Sequence, residues 1–473
     1  MPATRPVRIG ADTVTTDEDL VVRSPFDGSE VGRVPRCDAS HVERAVRAGV
    51  AALADPLAPW QRAEILDAAA HAMVRHRDEL ARTIAQEAAK PIRTARVEAE
   101  RTVVTFQSAA VEARTLVGEV VPIDGASPGA GKLAFTLRVP RGVVAAISPF
   151  NFPLNLVVHK VAPAIAAGCP VVLKPASQTP LSAILLQEIL MDECGLPPGW
   201  LSIVTGSGGA IGDPLVEHPD VAVITFTGSP DVGWAIAAKA ADKHVGLELG
   251  NNAPVIIEPS GDWQAAAAKI SVAGFSHAGQ SCISTQRIYV HRSIADEFTS
   301  ALVERVEDLV VGDPLDEATD VSSLISESET ERVRAWIAEA VEAGAEVRCG
   351  GDLVDGVLAP TVLSGVTPEM EVCRSEVFGP LVGIIAYDEL DDALAQANDT
   401  RYGLQAAVFT AELATALRAA RELDFGGVLV NEVPTFRTDQ MPYGGVRDSG
   451  NTKEGPHYAV REMTRERLVI IQS

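Results

Sequence analysis

Residues 142–153 read Gly142-Val143-Val144-Ala145-Ala146-Ile147-Ser148-Pro149-Phe150-Asn151-Phe152-Pro153, an apolar run ending in a Ser/Pro turn. Val143–Ile147 carries no polar side chain, the pattern of a strand buried on both faces. Three more short apolar runs follow, at Val171–Leu173, Leu201–Val204 and Val221–Thr225. Each leads through a Gly-, Pro- or Ser-rich turn into a helical stretch. Strands alternating with amphipathic helices are βαβ units, and they predict a parallel sheet covered by helices on both faces. Ligands of such sheets bind where loops leave the carboxyl ends of the strands. The turns after Ile147, Leu173, Val204 and Thr225 are therefore where chemistry is expected.

Upstream, helical periodicity covers His41–Leu53, Gln61–Ala89 and Thr94–Leu116, with Pro91 separating the last two. Gly125–Gly131, between Val-rich segments, reads as a hairpin tip. Downstream, a second α/β pattern starts at Val255–Ile257 and runs through Gly427–Asn431. No long linker separates the halves, so two domains packed around a cleft are expected.

Bulk properties exclude several functions. A chain of 473 residues exceeds one ordinary core. Its net charge of −24 argues against nucleic-acid or anionic-membrane partners, which need a basic surface. The start, Met1–Thr16, has no apolar core of a signal peptide, and the apolar stretch from Lys160 to Lys174 is interrupted by Pro163, Gly168 and Pro170. Six cysteines lie scattered without CxxC spacing, which suggests neither a disulfide framework nor a zinc site, and the cytoplasm is the expected compartment. The histidines form no HExxH pair, so no metal is expected. Gly125-Ala126-Ser127-Pro128-Gly129 fits GxSxG, but Pro128, Gly129 and Gly131 forbid the helix that a nucleophile elbow requires.

Four constellations carry chemistry. Phe275–Arg287 (FSHAGQSCISTQR) sets Cys282 among Gly279, Gln280 and Ser281, where backbone N–H groups are accessible. The Asn151 amide follows the first parallel strand. Glu248, in Leu247-Glu248-Leu249-Gly250, is a carboxylate among apolar neighbours, a setting that raises its pKa. Glu376-Val377-Phe378-Gly379-Pro380 puts an acid and an aromatic in one tight turn. Each also fits a structural role: Cys282 a small buried apolar residue, Asn151 a turn former, Glu248 a solvated strand end, Glu376 a helix cap.

Taken together with VVLKPASQTP (171–180), TFTGSPDVG (225–233), LELGNNAP (247–254), GQSC (279–282) and PYGGVRDSG (442–450), these motifs resemble the aldehyde dehydrogenase superfamily, in family order over nearly the whole chain. The resemblance implies an α/β fold: a parallel Rossmann-like dinucleotide-binding domain (1–118 and 141–250), a second α/β catalytic domain (251–447) and a β-hairpin oligomerisation arm (119–140 and 448–473). It implies NAD(P)-dependent oxidation of an aldehyde to its acid through a Cys282 thiohemiacetal and thioester. Asn151 then matches the oxyanion donor and Glu248 the base for hydrolysis. Ile147, Pro149, Lys174, Ser177, Gly228, Ser229, Leu249, Glu376 and Phe378 match cofactor-binding positions. Ser177 stands where NAD-preferring relatives often carry Glu, so NADP as well as NAD is expected.

The stretch PTFRTDQMPYGGV (434–446) resembles the branch that handles lactaldehyde, glyceraldehyde, succinic semialdehyde and phosphonate- or sulfonate-bearing aldehydes. Arg101, Phe152, His159, Ser281, Ile283 and Arg437 are the expected substrate neighbours, and a small polar or anionic aldehyde the expected substrate. Either arginine equally fits a structural salt bridge. Asn251-Asn252 and Ser449-Gly450-Asn451-Thr452-Lys453 depart from the usual family pattern. A homodimer or homotetramer is implied. A CoA-acylating dehydrogenase and a non-catalytic binding protein on the same fold remain alternatives.

Overall fold

The computed structural model describes residues 4–472. Val143–Ile147 is the centre of a five-stranded parallel sheet, flanked by Val221–Thr227 and Val171–Lys174, with His244–Glu248 and Leu201–Ile203 at the edges. All five residues of the central strand are buried, as their apolar run requires. Chain order runs outward on one side and returns on the other, so the strand order reverses between Val143–Ile147 and Val221–Thr227. That reversal opens a crevice at the carboxyl ends.

The edge strand His244–Glu248 escapes the reading from apolar runs. Paired on one side only, its His-Val-Gly-Leu-Glu sequence lacks a continuous apolar run. The segment His41–Leu53 forms Ala39–Ala54, and Thr94–Leu116 forms Ile92–Thr115. Gln61–Ala89, expected as one helix, divides into Pro59–Arg75 and Arg77–Ala88. The break is at His76 (φ −95°, ψ 9°), whose ring lies between the Glu79 and Glu193 carboxylates at 2.9 and 2.7 Å.

A second, seven-stranded sheet holds Ala253–Ile257 between Thr285–His291 and Gln405–Phe409, with Leu381–Tyr387, Thr361–Ser364 and Gly427–Val430 further out. Its strands are parallel except Glu346–Cys349, an antiparallel edge. Each sheet has its own apolar core, one reaching Leu247 and Leu249 and the other starting at Val255. Val120–Val121, Lys132–Pro140 and Thr464–Gln472 form a separate three-stranded antiparallel sheet. Gly125–Gly131 joins its first two strands through two single 3₁₀ turns. Leu133, Leu137, Leu468 and Ile470 on these strands are exposed.

Candidate active site

A cleft of about 800 Å³ opens at the strand-order reversal, lined from one side by Ile147, Ser148, Pro149, Phe150 and Asn151. Lys174 and Ser177 extend it along one wall, Gly228, Ser229 and Leu249 along the other, and Glu376, Phe378 and Cys282 close it from the second sheet. All nine expected cofactor positions thus share one cavity with Asn151 and Cys282.

The donors in this cleft fit a dinucleotide. Lys174 is 8% exposed, and the only hydrogen-bond partner of its ammonium among the described residues is the Pro175 carbonyl at a long 3.5 Å. A buried cation so poorly paired is poised for hydroxyl or phosphate oxygens. Helix Pro230–Lys239 points its first turn at the cleft, and the Ser229 side chain does not cap it. Its free N–H groups and dipole favour a pyrophosphate there. Asp231 in that turn is paired with Arg401 at 3.2 Å, which offsets its charge. Ser177 is exposed, and its hydroxyl donates to the Gly206 carbonyl at 2.9 Å, so the position offers room more than a free donor.

Glu376 lies across Gly250: a Cβ there would overlap its carboxylate. One carboxylate oxygen accepts the Asn251 N–H at 2.9 Å. Burial pushes the Glu376 carboxyl up to about 7, partly offset by that N–H. Phe378, two residues on, has φ 48°, a left-handed turn that packs its ring edge-on against Phe150 at 5.8 Å.

The segment before Cys282 is wound left-handed. His277, Ala278 and Gly279 have φ of 51°, 53° and 69°. Two non-glycine residues in this region store strain of about 1–3 kcal/mol each. Gly279 is packed backbone on backbone, because a Cβ there would overlap the Gly379 carbonyl. The coil directs Cys282 into the cleft half-buried, and its backbone N–H has no acceptor among the described residues. The Asn151 amide donates to the Gln280 carbonyl at 2.9 Å, which ties the two loops together and leaves its second N–H free.

Burial pushes the Cys282 thiol up to about 12, with the Tyr443 hydroxyl acting in the opposite direction. Glu248, at the end of its strand, is buried, and neither carboxylate oxygen has a partner among the described residues. Burial, then the nearby Glu454 charge, raises its carboxyl well above the usual range. Glu248 is close enough for its charge to act on the thiol.

Behind these groups lies a buried polar cluster. Arg437 Nη2 is 2.9 Å from Glu454 Oε2 and 3.2 Å from His159 Nε2, and its guanidinium covers the Tyr443 ring at 3.8 Å. Lys160 donates to Thr227 at 2.6 Å and to Thr225 at 3.2 Å, with Glu454 Oε1 at 3.6 Å. Arg437 and Lys160 hold the Glu454 carboxyl low against the effect of its burial. His159 Nε2 is 3.1 Å from Asp439, and burial, with the Arg437 charge, lowers the pKa of the ring. Arg101 makes one long contact, 3.5 Å to Asp439, and feels the Arg437 charge.

The other expected substrate neighbours divide. Ile283 is buried with Leu404 and Tyr443 against Cys282, and Ser281 is half-buried beside it. Phe152 sits in the turn before helix Asn155–Ala167 rather than on it. Its ring carries Lys90 Nζ at 3.7 Å and meets the His277 ring at 6.4 Å. Tyr443, Lys160 and Glu454 were not singled out by sequence. Tyr443 and Glu454 sit in a segment without regular periodicity, and they converge only because the 443–454 hairpin closes (Glu454 N to Tyr443 O, 2.6 Å). Among the described residues no cluster of three or more His, Cys, Asp or Glu could hold a metal, and no helix is long and apolar enough to cross a membrane.

Comparison with known proteins places this geometry. The aldehyde dehydrogenase family model matches residues 13–469. The 3-sulfolactaldehyde dehydrogenase of Priestia aryabhattai is 46% identical over 463 residues, 98% of this chain and 97% of its own. Aldehyde dehydrogenase 21 of Physcomitrella patens, solved with the reaction product succinate, has a TM-score of 0.96 at 37% identity and covers 100% of this chain and 99% of its own. The glyceraldehyde-3-phosphate dehydrogenase of Methanocaldococcus jannaschii, solved with NADP, has a TM-score of 0.93 at 37% identity and covers 97% and 100%. The chain belongs to the aldehyde dehydrogenase family and is an NAD(P)-dependent aldehyde oxidoreductase.

Proposed function

We propose that Cys282 is the nucleophile, Asn151 the oxyanion donor and Glu248 the hydrolytic base, acting on a short aldehyde that carries an anionic group. The observation that carries this reading is the meeting on one cleft of a half-buried thiol and an amide tied to its loop, with an unpartnered buried carboxylate near enough for its charge to act on the thiol. The Cys282 sulfur adds to the aldehyde carbon, and the carbonyl oxygen becomes an oxyanion. The free N–H of Asn151 and the Cys282 backbone N–H are the donors for that charge. Lys174, Glu376 and Phe378 line the cleft where they would hold a dinucleotide, whose nicotinamide would supply the hydride acceptor, and the substrate would stay on Cys282 as a thioester. Glu248 takes a proton from water, the resulting hydroxide adds to the thioester, and collapse releases the acid and the thiol. With CoA present, free acid remains the product.

The anionic substrate follows from charge. Arg101 and Arg437 lie within electrostatic reach of each other, and Arg101 is only weakly paired. Arg437 is committed to Glu454, so Arg101, held by one long contact to Asp439, is the cation left for a carboxylate or sulfonate. The relatives acting on 3-sulfolactaldehyde and yielding succinate support this chemistry. NADP is accepted because no acid stands at Ser177 to repel a 2′-phosphate. The dinucleotide binds on the first sheet and its helices, within 1–118 and 141–250. The exposed apolar strands Lys132–Pro140 and Thr464–Gln472 form the contact of a homo-oligomer, within 119–140 and 448–473. Cys37, Cys169, Cys194, Cys282, Cys349 and Cys373 are all free, which suits the cytoplasm.

Absorbance at 340 nm with an aldehyde panel and both cofactors tests the reading. Sulfolactaldehyde, succinic semialdehyde and lactaldehyde should outpace hexanal and benzaldehyde in kcat/KM. Faster turnover of the apolar pair overturns the anionic assignment, and NADP more than a hundredfold worse than NAD overturns the cofactor assignment.

A further inference from the structure

We propose that the Tyr443 hydroxyl is a catalytic hydrogen-bond donor to the Cys282 sulfur, stabilising the thiolate before attack and fixing where the sulfur sits. The inference rests on Cys282 being the nucleophile. The phenolic oxygen is 3.0 Å from Sγ, and each is the other's only side-chain hydrogen-bond partner among the described residues. Among the described residues no histidine or lysine hydrogen-bonds the sulfur, so no paired imidazole of the kind that activates many cysteine nucleophiles is seen there.

The surroundings make Tyr443 a fixed donor. Its side chain is buried in an apolar wall with Ile283 and Leu404. Its backbone is held at both ends, by Tyr443 N to Met441 O at 2.8 Å and by Glu454 N to Tyr443 O at 2.6 Å. Arg437 covers one face of the ring at 3.8 Å and is itself anchored to Glu454 at 2.9 Å. A cation over the π-face withdraws density from the phenol and strengthens its O–H as a donor. Burial keeps the phenol from ionising, so it offers a proton and no competing charge.

The same apolar wall penalises a thiolate, and a charge-assisted hydrogen bond is the interaction that offsets this penalty. Tyr443 keeps its proton throughout. The thiol proton leaves to water in the cleft that Cys282 lines.

Tyr443→Phe removes the O–H and keeps the ring beneath Arg437. The readout is the pH dependence of iodoacetamide alkylation at Cys282, followed by mass spectrometry of the peptide. The apparent thiol pKa should rise by about one unit, slowing alkylation near neutral pH about tenfold. Replacing Tyr443 with 3-fluorotyrosine, a stronger donor of nearly the same shape, should move the pKa down. A fluorescence titration with NADPH confirms that the cleft is intact. A Tyr443→Phe profile that superimposes on wild type, or shifts downward, overturns the proposal. If Tyr443→Phe does not fold, an unchanged profile in the fluorotyrosine enzyme overturns it instead. Full activity after complete alkylation of Cys282 would sink the nucleophile reading itself, a result separate from any shift in the profile.

Discussion

The carboxylate of Glu98 accepts the backbone N–H of Asn155 at 3.1 Å, four residues beyond Asn151. The same oxygen accepts the Leu154 N–H at 3.0 Å, so a side chain from helix Ile92–Thr115 caps the helix that follows the Asn151 loop. The other carboxylate oxygen pairs with Lys90, whose ammonium also lies over the Phe152 ring. Both ion-pair side chains are fully buried. Glu98→Ala leaves the Lys90 cation unpaired in the core and should cost about 3–5 kcal/mol in urea denaturation, with loss of kcat. Destabilisation below about 1 kcal/mol would mean that water or another group satisfies Lys90.

Asn151→Ala should lower kcat/KM by about 10²–10³-fold while leaving NADPH affinity within about twofold, because the amide acts on the developing oxyanion. Steady-state rates together with a fluorescence titration separate the two effects. Equal losses in both would make Asn151 a cofactor-binding residue.

Glu248→Gln should let the thioester form but slow its hydrolysis, giving a burst of reduced cofactor close to one equivalent per active site followed by a slow steady state. The sign of the pH effect follows from burial, which raises the Glu248 carboxyl above 4.5. Below its raised pKa the group is protonated and cannot act as base, so deacylation should rise with pH above the ordinary carboxylate range. Stopped-flow absorbance across pH should show that rise in wild type and its loss in the variant.

Gly250→Ala places a methyl group where the Glu376 carboxylate lies. The KM for cofactor should rise at least tenfold and the KM for aldehyde much less. A selective rise in the aldehyde KM would remove Glu376 from the cofactor cleft.

Arg101→Met keeps much of the aliphatic stem and removes the charge. With no weakly paired cation left to meet the anionic end, KM for succinic semialdehyde should rise about ten- to a hundredfold, with little change for propanal. Equal effects on both aldehydes would assign Arg101 to its contact with Asp439.

Apolar runs located four of the five strands in the first sheet, because buried parallel strands are apolar throughout. Glu248 was legible as a carboxylate among apolar residues, but its strand was not, since an edge strand can carry polar residues. Asn151 and Glu248 both lie at carboxyl ends of strands of the first sheet. Cys282 instead precedes Thr285–His291, at the amino end of its strand, facing the first sheet across the cleft. The Arg437–Tyr443–Glu454 cluster was the least legible, because its contacts come from hairpin closure and an isolated bridge between Glu248 and Gly450. Periodicity records faces of regular elements and is silent about such meetings.

The backbone contact between Gly279 and Gly379 joins the loop that aims the sulfur to the turn that carries Glu376 and Phe378. With no side chain between them to compress, the two segments touch backbone to backbone, so a shift of one is felt by the other. On the proposed roles, a dinucleotide held by Glu376 and Phe378 and an acyl group held on Cys282 would share one support. Rotation of the Glu376 and Phe378 side chains would then release the first and leave the backbone that carries the sulfur in place.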